Sequence, residues 1–189
     1  MPRLNPLPCL SFVVLVSLLA LASDASAQKT YALGIGGGAA IPVGKLTDTQ
    51  NTGLNGTVAF AIGVAELPIG LRLDGIFNRF PRRDVVFPQG GGTVLSNLRI
   101  TAAIGNLIYA FPGTSAKPYL IAGIGWYSTK QDLSGAKATN TVGYSGGLGT
   151  TFGIGPVATF IESRYHSISR SVAKGGVVQF VPVTFGLMF

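Results

Sequence analysis

Two short charged pairs are the first residues in this sequence with the types and spacing for chemistry: Arg72-x-Asp74 and, far along the chain, Glu162-x-Arg164. A pair of carboxylates facing one bond can serve as acid and base in glycoside hydrolysis. Here each carboxylate stands two residues from an arginine, which favours the ionised form over a poised acid. If both segments are strands, the i, i+2 spacing puts each pair on one face, and a structural charge cluster is the better reading. His166 is the single histidine, followed by Ser167 and Ser169. A nucleophile must lie within reach of its base, yet the period of two places both serines on the face opposite His166. No catalytic residue is expected. With one histidine, Cys9 as the sole cysteine and scattered carboxylates, the chain lacks a metal-ligand set, and no metal is expected. Gly34-x-Gly36-x-x-Ala39 imitates a dinucleotide fingerprint, but no helix or acidic partner follows it in a βαβ unit, so no cofactor is expected.

The elements that must position these residues read as strands. Segments of about ten residues, rich in Gly, Val, Ile, Phe, Tyr and Thr, are separated by clusters of Pro, Gly and Asn. They fall at 30–41, 56–66, 70–80, 94–110, 118–129, 141–153, 157–167 and 177–189. The links around Glu66-Leu67-Pro68-Ile69, Phe111 to Lys117 and Ile154-Gly155-Pro156 are brief, whereas 42–55, 81–93, 130–140 and 168–176 are longer and polar or Gly-rich. An even number of strands with alternating short turns and long loops predicts an all-β fold, an eight-stranded antiparallel up-and-down transmembrane β-barrel.

Such a barrel carries apolar side chains outward and polar or small ones inward. On the last strand Val181, Val183, Phe185, Leu187 and Phe189 share a face opposite Thr184 and Gly186, with Phe180, Pro182 and Met188 less regular. On the fifth, Leu120, Ala122, Ile124 and Trp126 oppose Tyr119, Gly123, Gly125 and Tyr127, and Trp126 near the strand end suits an interfacial aromatic girdle. The third sets Arg72, Asp74, Ile76 and Asn78 against Leu71, Leu73, Gly75 and Phe77; the seventh sets Phe160, Glu162, Arg164 and His166 against Ile161, Ser163 and Tyr165. Arg72, Asp74, Glu162 and Arg164 are therefore expected to meet in the lumen and plug it, since a small barrel is filled by its own side chains. The fourth strand is irregular: Leu98, Ile100, Ala102 and Ile104 read as outward-facing, and then Leu107, Tyr109 and Phe111 do. A β-bulge near Gly105-Asn106 would reconcile them.

The N-terminus reads as an address. Arg3 supplies a positive start, Cys9 to Leu21 a nearly unbroken apolar run, and Ala25-Ser26-Ala27 an A-x-A cleavage site. Residues 1–27 are expected to be a cleaved signal peptide and 28–189 a single barrel domain. The apolar run falls short of the roughly 20 residues of a spanning helix. Removal of Cys9 leaves no disulfide. The formal charge of +7 survives cleavage, because Arg3 and Asp24 leave together. Lys45, Arg82, Arg83, Lys130, Lys137, Arg170 and Lys174 fall in the expected loops, a scatter that argues for a solvated or lipid-phosphate-facing rim over a nucleic-acid surface.

The run Pro118-Tyr119-Leu120-Ile121-Ala122-Gly123-Ile124-Gly125, the Glu162-Ser163-Arg164-Tyr165 segment and the closing Val181-Pro182-Val183-Thr184-Phe185-Gly186-Leu187-Met188-Phe189, taken with the signal peptide, resemble the outer-membrane protein β-barrel domain family, the small barrels of OmpA and OmpX type. The resemblance covers essentially the whole mature chain through short, degenerate motifs. It implies that Phe185, Leu187 and Phe189 form the terminal signal read by the barrel-assembly machinery; Thr184 stands where a glycine is often found. Some small outer-membrane barrels are lipid A deacylases, in which the serine follows the histidine by two residues, and here that position is Ile168.

The expectation is thus a non-enzymatic, plugged barrel in the outer membrane of a Gram-negative cell, monomeric, with membrane lipid and lipopolysaccharide as partners, contributing to envelope integrity or presenting its loops. The alternatives are an adhesin or host-factor binder acting through the loops, a lipid A deacylase-like esterase, and a soluble periplasmic barrel of lipocalin type with its faces reversed.

Overall fold

The computed structural model describes residues 31–63, 68–83, 96–154, 157–169 and 176–189. Eight strands, β1 (Tyr31–Val43), β2 (Gly53–Gly63), β3 (Ile69–Phe80), β4 (Leu98–Ala110), β5 (Ala116–Gln131), β6 (Thr139–Ile154), β7 (Val157–Ile168) and β8 (Val178–Met188), close into one antiparallel barrel in chain order. Every backbone edge is thereby paired, the condition for a sheet to persist without water at its rim. The last residue completes the seam: Phe189 N donates to Leu33 O at 2.7 Å, and Leu33 N donates back to Phe189 O at 3.0 Å.

All eight expected strands form, with ends displaced by a few residues. The expected signal peptide lies outside the described residues, as do 64–66 of the second expected strand, 94–95 of the fourth, 84–93 of the second long loop, and Arg170 and Lys174. Lys130 is a correction: it belongs to β5, not to a loop. The first long connection is partly structured. Gly44, at φ 57°, turns the chain into a 3-10 segment, Gly44–Asp48, that tucks Leu46 against the loop end of the lumen. Beyond it Gln50 bridges to Arg82, joining the first two long connections.

The predicted bulge is absent. The β3/β4 register runs unbroken from Ile69↔Tyr109 to Phe80↔Leu98, and β4/β5 from Leu98↔Gln131 to Ala110↔Tyr119. Leu98, Ile100, Ala102 and Ile104 consequently face inward, on the same side as Asn106, while Leu107 and Tyr109 face outward as expected. The physical reason is that the lumen is not polar throughout. Its loop-end half is an apolar core in which Ile100, Ile104 and Leu98 pack with Phe80, Phe180 and Tyr127. Aliphatic residues on consecutive inward positions belong there, and no break in the alternation is needed.

The outer wall shows the opposite chemistry. Leu33, Ile35, Val58, Phe60, Leu71, Leu73, Leu107, Leu120, Ile124, Val142, Leu148 and Phe185 are exposed on it. From Ile69 to Phe77 the wall rises roughly 27 Å along β3 at the usual antiparallel spacing, or about 20 Å along the barrel axis for a strand tilt near 40°.

Candidate functional site

The turn-end half of the lumen holds the charged residues. β3 and β7 stand diametrically across the barrel, and their inward i, i+2 pairs meet at its axis. Arg72 Nη2 donates to both Glu162 oxygens at 2.8 and 2.7 Å, and its Nε lies 2.9 Å from Asp74 Oδ1. Arg164 Nη1 donates to Asp74 Oδ2 at 2.8 Å, while its Nε lies 2.7 Å from Glu162 Oε1. Each cation therefore touches both carboxylates, and each carboxylate both cations. The four formal charges cancel, as burial requires: Asp74 is fully enclosed and the other three nearly so.

Two neutral side chains complete the network. Tyr119 Oη on β5 donates to Glu162 Oε2 at 2.7 Å; Asn106 Nδ2 on β4 donates to Asp74 Oδ2 at 2.9 Å and to the carbonyls of Arg72 and Ile104 at 3.1 Å each. The Arg72 guanidinium also lies 5.9 Å from the centre of the Phe160 ring, a cation–π contact. Tyr119 was legible as a lumen residue from the alternation of its strand. Asn106 was not, because the assumed bulge hid it; its signal was an amide at an inward position of an unbroken β4.

Inward glycines make room for these large groups. A Cβ at Gly149 would meet the Tyr119 ring and approach Ile161 O to 2.8 Å; one at Gly147 would meet Ser163 O and come within 2.7 Å of Arg164 Cγ; one at Gly186 would meet the Phe160 ring. The glycines of β6 and β8 are thus the complement of bulky residues on β5 and β7, and they owe their places to packing rather than to a bound ligand.

Above the network a separate polar ladder crosses the lumen: Thr184 Oγ1 donates to Asn55 Oδ1 at 2.7 Å, and Asn55 Nδ2 to Asn78 Oδ1 at 2.8 Å. His166 sits higher still, fully buried. Its ring stacks on Phe180 with centroids 4.8 Å apart, and Nδ1 lies 2.9 Å from Tyr127 Oη. Its neighbour Ile168 also points into the core. The histidine is held by aromatic partners, and Ser167 occupies the other side of the strand, as its period requires. Among the described residues no group of three or more His, Cys, Asp or Glu side chains is placed to hold a metal ion.

Below the network, at the short-turn end, a cavity of about 170 Å³ lies between Arg72, Tyr119, Phe160, Lys117 and Met188. Among the described residues the lumen is therefore a cup: open at the turn end, crossed by ion pairs, and filled at the loop end by the apolar core. Side chains fill it, and the arrangement can hold charge without presenting it to solvent on both sides.

The remaining expected residues lie on the wall and at the seam. Trp126 faces outward and is 58% exposed; Phe185 is likewise exposed on the outward face of β8, and Leu187 and Phe189 are half-buried. Among the described strand residues the outward positions carry charge at Arg79, Arg99 and Lys130 alone.

No protein-family model matches the chain, and no curated protein matches it. Solved structures do. The crystal structure of Neisserial surface protein A superposes with a TM-score of 0.62 at 16% identity, over 85% of this chain and 96% of that one. A major outer membrane protein of Thermus thermophilus gives 0.50 at 14% identity, over 84% and 98%. The Yersinia pestis outer membrane protein Ail in a phospholipid bilayer nanodisc gives 0.50 at 13%, over 85% and 100%. The chain shares the fold of the small eight-stranded outer-membrane β-barrels.

Proposed function

We propose that this chain is an integral outer-membrane protein, a plugged and non-catalytic barrel that contributes to envelope integrity and holds its long loops at one surface. The observation that carries the reading is the inversion of its two faces. Apolar side chains cover the outside, and ionised ones are enclosed and neutralised inside. In water that exposed apolar wall would be an aggregation surface; in a bilayer it is the required one. The inversion also weighs against a lipocalin-type carrier, whose apolar residues line the inside.

The filled loop end supports a plug over a pore, and the engagement of His166 with Tyr127 and Phe180 supports a packing role for it over a catalytic one. The expected experiment is fractionation of cells expressing the full chain, followed by gel mobility with and without boiling. Recovery with the outer membrane and a heat-dependent mobility shift is the expected result. Recovery in the aqueous periplasmic fraction would refute the proposal.

A further inference from the structure

The three charges on the outer wall are not scattered. Arg79 lies directly across from Arg99, and Arg99 directly across from Lys130, so that β3, β4 and β5 present one row of cations near their loop ends. Neighbouring strands are about 4.8 Å apart, which puts the backbone anchors of the whole row within roughly 10 Å. Like charges directly opposite one another across a ladder destabilise it.

The described residues offer one carboxylate in relief. Asp132 lies 3.5 Å from Arg79 and 3.3 Å from Arg99. Lys130 makes no ion pair among the described residues, and the row keeps a net charge of two. The Arg99 guanidinium is 6.0 Å from the centre of the Phe77 ring on the next level down, so it lies along the wall. Beside Phe77 stand Thr101 and Ser128, and below them Gly75, Ala103 and Gly105 leave the wall low, flanked by Leu73 on β3 and by Trp126 and Ile124 on β5. A groove of about 370 Å³ over Gly105, bounded by Phe60, Leu71 and Leu73, continues the depression towards the middle of the apolar band.

We infer that Arg79, Arg99 and Lys130 form a binding site for the phosphate headgroup of a membrane lipid in the leaflet on the loop side, with an acyl chain of the same lipid along the groove over Gly105. Charge complementarity selects the anion. The position selects a lipid, because the row tops an apolar wall and is followed downward by hydroxyls and then by a hydrocarbon-lined depression. This rests on the membrane-spanning reading.

The test uses the full chain folded in neutral detergent, with dioleoyl phosphatidic acid as probe and phosphatidylcholine as reference, lipid retention being read by native mass spectrometry. Phosphatidic acid should be retained in preference, and R79Q/R99Q/K130Q, which takes away three cations near a lipid surface, should weaken it about 150-fold. K117Q, at the opposite end, should leave retention unchanged. D132N raises the charge of the row by one and, where the variant keeps the heat-dependent gel mobility of a folded barrel, should tighten retention about five-fold on the same scale. Equal retention by wild type and the triple variant, no change with D132N, or displacement of the lipid by inorganic phosphate at equal concentration overturns the site. A barrel that inserts in membranes yet does not distinguish the two lipids overturns the cation row alone; a barrel that never enters membranes overturns the membrane reading with it.

Discussion

Replacing Glu162 by Gln removes one charge from the lumen and leaves the shape of the side chain intact. Glu162 accepts from Arg72, Arg164 and Tyr119, all within 2.8 Å. Without its charge, two buried guanidiniums share Asp74, and the lumen carries a net positive charge. Breaking a buried ion pair on one side costs about 3–5 kcal/mol. The neighbouring cavity of about 170 Å³ admits water to one side of the network, so the lower end, about 3 kcal/mol, is expected. A second substitution, Arg164→Met, restores neutrality by leaving Arg72 with Asp74, and Glu162→Gln/Arg164→Met should be more stable than Glu162→Gln alone by at least about 1 kcal/mol. The assay is equilibrium urea unfolding in phosphatidylcholine vesicles, followed by the fluorescence of Trp126, the single tryptophan, with gel mobility as a second probe. Midpoints convert to free energies where the slopes agree. A single variant within about 0.5 kcal/mol of wild type, or a double variant whose loss equals the sum of its two singles, would refute the account of the network.

Two further outcomes follow from the walls of the barrel. Gly149→Ala drives a methyl into the Tyr119 ring and should cost about 1–3 kcal/mol, whereas Gly105→Ala, with nothing within 4 Å of the added carbon, should stay within about 0.5 kcal/mol; the same urea titration checks both, and the reverse order would contradict the packing described. Trp126, exposed on the outer face, should be strongly quenched by brominated acyl chains in vesicles, while fluorescence unaffected by bromolipid would place it away from lipid.

Much of this architecture was legible because two periodicities coincide in the sequence. The alternation of short and long connections sets the strand number, and the period of two sets the faces of β3, β5, β7 and β8. Arg72-x-Asp74 and Glu162-x-Arg164 declare themselves as inward pairs by that period alone. Their meeting is less legible, since it depends on β3 and β7 lying opposite each other, a property of closure rather than of either strand. β4 departs from the expected alternation for a physical reason. A polar lumen puts Leu98, Ile100 and Ile104 on the lipid side, whereas the loop-end lumen is built from aliphatic and aromatic groups. The row formed by Arg79, Arg99 and Lys130 was hidden for a related reason: Lys130 read as a loop residue, and only the register of β3, β4 and β5 shows that the three stand abreast.

The crossing ion pairs have a mechanical consequence. A closed ring of strands has little resistance to being squeezed into an ellipse, because adjacent strands can hinge on one another without losing a hydrogen bond. β3 and β7 share no ladder, yet Arg72 reaches Glu162 and Arg164 reaches Asp74 across the full bore. Lengthening that diameter must stretch those contacts, and shortening it must press the four buried side chains into one another. The network therefore acts as a strut against any change in that diameter.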